Sequence, residues 1–212
     1  MEAKNKMIKN PYKGKLISLD GLDGSGLSTQ AGLLKWYLEK QGIEVFSTHY
    51  PTEKSAYSAK IQQVMNNEIE MDTFQFHSLM AKDRQEDFKN WIIPSLKRGK
   101  WVISDHYVFA SLAFGPQEAE ELEKYEELNK EFFLPDIGIV LMVKPETSLE
   151  RIIKRGKKIQ VYENLKRLQM AWNNFQGLLN KYDCLREVNG EQIIEKVHED
   201  TKSIVKEVLL DK

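Results

Sequence analysis

The chain has 212 residues, 41% hydrophobic and 30% charged, with a formal net charge of -1, which is the balance of a soluble globular protein with one core and gives no global attraction to nucleic acid or an anionic membrane. Its single cysteine, Cys184, cannot close an internal disulfide, Met1 to Asn10 is charged with no apolar run behind it, and no stretch approaches the roughly 18 apolar residues of a membrane span. A cytoplasmic protein of one domain is expected, without nucleic-acid or membrane partners, in which any anion site is local.

Lys15 to Asp20 (KLISLD) reads as an apolar strand ending at a glycine-rich turn, and Ser28 to Gln41 has helical spacing through Leu33, Leu34, Tyr37 and Leu38, stopped by Gly42. The turn DGLDGSGLSTQ, residues 20–30, fits G-x-x-x-x-G-K-[ST] except at one place: the lysine slot holds Leu27. Such a loop works mainly through backbone N–H groups aimed at phosphate oxygens and through the positive end of the following helix. None of these donors needs a lysine. The stretch Gly21, Leu22, Asp23, Gly24, Ser25, Gly26, Leu27, Ser28 and Thr29 is therefore the expected phosphate site, with Ser28 placed to ligate a metal ion.

Ile43 to Tyr50 reads as a second strand closed by Pro51. Asp72 is a candidate N-cap for a long helix through Phe74, Phe76, Leu79, Met80, Phe88 and Ile92, kinked by Pro94 and ended at Gly99. WVISD, 101–105, reads as a buried strand ending in a carboxylate. Pro116 to Phe133 is acidic and helical, its glutamates forming a solvated face. IGIVLMV, 137–143, is a strand; a helix from Glu146, a basic turn RGKK at 155–158, a helix to Tyr182, a strand around Leu185 to Val188 and a terminal helix complete the chain. Strands alternating with helices, several of them apolar on both faces, imply an α/β fold with a parallel sheet covered on each side.

LISLDGLDGSGLSTQ at 16–30, the YP pair at 50–51, MAKDRQEDF at 80–88, GKWVISDHYVFASLAF at 99–114, LERIIKRG at 149–156 and VYEN at 161–164 resemble the thymidylate kinases over nearly the whole chain. The resemblance implies a three-layer P-loop NTPase fold with about five parallel strands, one kinase domain over 1–212 with a small lid around 155–160, and transfer of phosphate from ATP to dTMP with Mg2+. It also implies roles. Asp23 would accept a hydrogen bond from the deoxyribose 3'-hydroxyl, and Ser28 and Asp105 would hold the magnesium ion. Arg84 would reach the acceptor base or phosphate, the alternative being a surface ion pair with Glu86 or Asp87. Tyr50, Pro51, Ser111 and Tyr162 would line the acceptor pocket, and Arg155, Lys157 and Lys158 would cover ATP as a mobile lid. Relatives are usually homodimers packed through helices.

The departures from the family share one direction. Besides Leu27, an arginine before the aromatic-proline pair is His49, the arginine of an Asp-Arg-Tyr triplet is His106, a phenylalanine that stacks on thymine is Met80, and a glutamine near the acceptor is Leu168. Imidazoles, with an ordinary pKa near 6.5, would make acceptor binding weaker above neutrality. Two alternatives to a working dTMP kinase stand beside it: a nucleotide-binding paralogue with little transfer, and a kinase for another nucleoside monophosphate.

Overall fold

The computed structural model describes residues 7–156 and 158–210. A short strand β1, Ile8–Lys9, is followed by β2 (Leu16–Gly21), β3 (Val45–His49), β4 (Trp101–Asp105), β5 (Phe133–Leu134), β6 (Ile137–Met142) and β7 (Leu185–Asn189). β1 pairs with β5, and the other five form a wholly parallel sheet in the order β3-β4-β2-β6-β7. Parallel neighbours need crossovers, and helices make them: α1 (Leu27–Lys40), α2 (Ser58–Met65), α3 (Thr73–Asp87), α4 (Ile93–Lys97), α5 (Val108–Phe114), α6 (Leu122–Asn129), α7 (Pro145–Lys154), α8 (Leu165–Lys181) and α9 (Ile194–Val205).

The two sheet faces follow from residue alternation. Leu16, Val102 and Val140 join Phe109, Leu112 and Phe175 of α5 and α8 in one apolar layer. Ile17, Leu19, Ile103, Ile139 and Leu141 point the other way, to Leu34 and Leu38 of α1 and Val197 of α9. Every residue of β2, β4 and β6 is buried, whereas the edge strands β3 and β7 have exposed positions. The apolar runs are thus those enclosed on both faces, and the expected three layers are present. No described helix is long and apolar enough to cross a membrane.

Asp72 caps α3 as expected, its carboxylate accepting from the N–H of Gln75 at 2.9 Å. Beyond Asp87 the helix widens into a π-helical stretch, Phe88–Ile92, before α4. Pro94 lacks an N–H and its ring crowds the carbonyl four residues back, and the wider turn lies just before it. Two expectations need correction. The helix placed from Pro116 to Phe133 is shorter: α6 ends at Asn129, and Phe133 turns into β5, where its ring meets Phe88 at 4.8 Å between centroids. Helices α2 and α5 were not anticipated. α5 is almost wholly buried, so it shows no amphipathic period.

Replacing Asp72 by alanine removes the cap of α3, and the unfolding free energy measured in urea is expected to fall by about 1 kcal/mol.

Candidate active site

β2 delivers the chain to the carboxyl edge of the sheet, and α1 leaves it six residues later. Gly24 and Gly26 have φ of 82° and 97°, in the left-handed region. A Cβ on Gly24 would lie 2.7 Å from the Ser148 carbonyl oxygen of α7, so the loop packs directly on that helix. The N–H of Ser25 closes a turn on the Leu22 carbonyl at 3.0 Å, and the first helical bond of α1 runs from Gln30 N–H to the Gly26 carbonyl at 3.0 Å. The N–H groups of Leu27, Ser28 and Thr29 are left for an anion at the helix end.

A cavity of about 470 Å³ opens there. Leu22, Asp23, Gly24, Gly26, Leu27, Ser28 and Thr29 line it from the loop, His49 and Tyr50 from the end of β3, Asp105 and His106 from the end of β4, and Arg151 and Arg155 from α7 and its end. Ser28 Oγ donates to Asp105 Oδ2 at 2.5 Å. His106 has φ 58° and its N–H is held by the Leu19 carbonyl at 2.8 Å, which turns the imidazole toward Asp23, Nε2 to Oδ1 3.9 Å. Desolvation raises the Asp23 carboxyl above its ordinary range, with His106 opposing. Arg155 is paired with the buried Glu163 at 2.5 Å, and Glu163 also accepts from the Gln160 N–H at 2.6 Å. Leu27 is almost fully buried among the apolar side chains of the α1 layer.

A second, smaller cavity of about 80 Å³ adjoins the first and shares Asp23, Tyr50 and His106 with it. Its other walls are Pro51, Met65, Phe76, His77, Met80, Arg84, Ala110, Ser111, Phe114 and Tyr162. Arg84 is fully buried. Its Nη1 donates to Asn129 at 2.7 Å, its Nη2 to the Tyr107 carbonyl at 3.0 Å and to Ser111 Oγ at 3.1 Å, and its guanidinium lies 5.1 Å from the centre of the Tyr50 ring. The surface-pair alternative for Arg84 is therefore excluded. Tyr50 in turn donates to Asp87 at 2.7 Å, and Asp83 accepts from the Thr52 N–H at 2.8 Å. These two carboxylates on α3 fix the segment after β3. One face of Tyr50 is occupied by Arg84.

Most of the predicted residues converge here. Gly21 and Ser25 lie behind the loop rather than on the cavity walls, both buried. Lys158 is exposed and off the walls of the cavity, and Lys157 lies outside the described residues. Leu168 is a core residue away from both cavities, so it does not alter the base pocket. Three functional candidates were missed. Arg151 sits one turn before Arg155 and donates to the Gly190 carbonyl at 3.2 Å; the four-residue spacing was the signal. Asp20 is buried beneath the loop and accepts from the N–H groups of Tyr107 and Ala110, at 2.9 and 3.2 Å, at the start of α5. His77 shares a face of α3 with Met80 and Arg84, at i, i+3 and i+7.

Among the described residues no three His, Cys, Asp or Glu side chains cluster as a metal cage. Ser28 and Asp105 instead present two adjacent oxygens at the cavity, which fits a Mg2+ ion that takes few protein ligands and fills its shell with water and phosphate oxygens.

Residues 19–201 match the family model described as thymidylate kinase. A probable thymidylate kinase of Pyrococcus abyssi is 32% identical over 203 residues, covering 93% of this chain and 98% of the relative, and a thymidylate kinase of Caldicellulosiruptor saccharolyticus is 30% identical over 204 residues, covering 93% and 98%. The solved structure of a thymidylate kinase from Candida albicans superposes with a TM-score of 0.78 over 93% of each chain at 21% identity, which establishes the P-loop NTPase fold.

His77 is buried with no hydrogen-bond partner at either nitrogen among the described residues, and burial, with Arg84 adding to it, pushes its pKa down to about 3. The unfolded chain takes up this proton near pH 6.5, so between about pH 6.5 and 3 the unfolded state binds more protons and the fold loses stability as pH falls. From pH 6.5 to 5, native protein is expected to lose about 2 kcal/mol more than His77→Phe in urea unfolding. The carboxyls of Asp20, Asp23 and Asp87, raised by desolvation, act with the opposite sign and cancel in that difference.

Proposed function

The chain belongs to the thymidylate kinase family, and we propose that it moves the γ-phosphoryl group of ATP to dTMP, giving ADP and dTDP. That it is a phosphotransferase follows from the family; the acceptor, the metal and the residue roles are our reading. The observation that carries it is the junction of two cavities at Asp23, Tyr50 and His106, one walled by the phosphate loop and the other by aromatic and apolar side chains. A donor triphosphate in the first and a nucleoside monophosphate in the second would meet there.

Phosphoryl transfer needs positioning and charge stabilisation more than covalent help. In the proposed step a phosphate oxygen of dTMP attacks the γ-phosphorus, and the bond to the β–γ bridging oxygen breaks, leaving ADP. N–H groups at the start of α1 hold the β- and γ-phosphates. Ser28 and Asp105 would hold Mg2+, which supplies neutralisation of phosphate charge when bound. Asp23 takes the 3'-hydroxyl of the acceptor sugar, Arg84 with Ser111 reaches its base, and His49 and His106 flank its phosphate.

Leu27 leaves the loop without a cation. The charge comes from the other wall: Arg151 already faces the cavity, and Arg155 would exchange Glu163 for a phosphate oxygen. An arginine bound to a single carboxylate makes this exchange readily, because a triphosphate with its metal offers more oxygens than Glu163 alone.

The test is ADP formation from Mg-ATP with dTMP, dUMP and the other monophosphates in turn. Turnover on dTMP is expected, and Arg155→Ala, Lys157→Ala, Lys158→Ala together should lower kcat by about 10²-fold or more, in the range of one preorganised charge. Leu27→Lys in that triple background should recover part of the loss. No turnover with any acceptor, beside retained ATP binding, would reassign the chain to nucleotide binding without catalysis.

A further inference from the structure

Resting on the reading of the smaller cavity as the acceptor site, we infer that His77 determines base specificity: its imidazole accepts a hydrogen bond from a ring N–H of the base, selecting pyrimidines protonated at N3, thymine and uracil, over cytosine. His77 is 4% exposed and lines the cavity, yet neither ring nitrogen has a hydrogen-bond partner among the described residues. Buried polar groups are otherwise nearly always paired, so an orphan aimed into a substrate cavity is explained by a ligand group that completes it. Phe76, Tyr125 and Tyr162 surround the ring at 5.5, 5.6 and 6.0 Å between centroids.

The proton state follows from the surroundings. Burial and the nearby Arg84 and Arg167 keep the ring neutral, so it carries one N–H and one bare nitrogen. In the proposed arrangement the bare nitrogen faces the base and the N–H lies on the other side of the ring.

Arg84 supplies the complementary half. Two turns further along the same face of α3, its Nε is buried without a partner while Nη1 and Nη2 are committed to Asn129, Tyr107 and Ser111. Beside the unpartnered His106 Nδ1 and the Asp23 carboxylate, which lie where the two cavities join, the α3 wall thus offers an unpartnered donor, Arg84 Nε, and in His77 an imidazole with a bare nitrogen that can accept. Thymine and uracil present the matching pair, an acceptor at O4 and a donor at N3. Cytosine reverses it, with an amino donor at C4 and an acceptor at N3, and would leave His77 facing a lone pair and Arg84 facing N–H.

The experiment compares dUMP with dCMP, which differ only along this edge, by calorimetric binding to native protein and to His77→Leu, with ATP affinity as the measure of an intact fold. Native protein is expected to favour dUMP by about 10- to 100-fold, and His77→Leu to bring the two within about threefold by weakening dUMP binding. Should His77→Leu fail to bind ATP, His77→Asn serves instead, since its side-chain carbonyl keeps an acceptor and is expected to retain part of the preference. A ratio unchanged by His77→Leu, no dUMP preference in native protein, or a preference abolished in an ATP-binding His77→Asn overturns the inference while leaving the kinase reading intact. Native protein that binds ATP but neither dTMP nor dUMP overturns the kinase reading, and this inference with it.

Discussion

A guanidinium with no water around it has to be satisfied by the protein, and Arg84 is such a group. It is fully buried, with Asn129 of α6, the Tyr107 carbonyl and Ser111 of α5 as its hydrogen-bond partners and the rings of Tyr50, Tyr107 and Phe132 at 5.1, 5.8 and 5.4 Å. Among the described residues no carboxylate is bonded to it directly; Asp20 and Asp83 act from a distance. A charge in this setting is tolerated only while every one of those partners stays in place. Three segments far apart in the chain, α3, the start of α5 and the end of α6, are thereby locked around one point, which is also the wall of the smaller cavity.

The same point connects to the phosphate loop through the backbone. Asp20 is the residue before Gly21, and its carboxylate holds the N–H groups of Tyr107 and Ala110, so the root of the loop and the start of α5 move as one. His106 sits between them with its N–H on Leu19 and its ring toward Asp23. Because β2 and β4 are parallel neighbours in register, with Leu19 opposite Asp105, their carboxyl ends place Asp20, Asp105 and His106 side by side without any long-range loop. This is the crevice at which open parallel sheets bind ligands.

Within that frame the cations are distributed unusually for a phosphate loop. The apolar Leu27 joins the core of the α1 layer, and the positive charge belongs to Arg151 and Arg155 on the opposite wall. A cation on a flexible side chain at the end of a helix can leave one partner for another, whereas one at the first turn of α1 is fixed from the start. Arg155 is itself paired with Glu163, which offsets part of the charge of this wall.

How much of this was legible in the residues depends on the range of the interactions. β2, β4 and β6 are readable as apolar runs, because burial on both faces leaves a local signature, and the glycines at 24 and 26 announce a left-handed loop, because backbone sterics act within a residue or two. Asp72 announces the start of α3 for the same reason. α5 escaped notice since a helix enclosed on all sides has no polar face to reveal its period, and the family correspondence that set Leu168 near the acceptor says nothing of its packing, which is in the core. The fates of the charged and polar side chains were decided only by the tertiary structure. Arg84 went inward, Arg155 found Glu163, and His77 was left without a partner, each according to neighbours contributed by other elements. The sequence alone determined the sheet, the loop and the class of ligand, which rest on local patterns; which polar groups stay free to meet that ligand is a property of packing between distant segments.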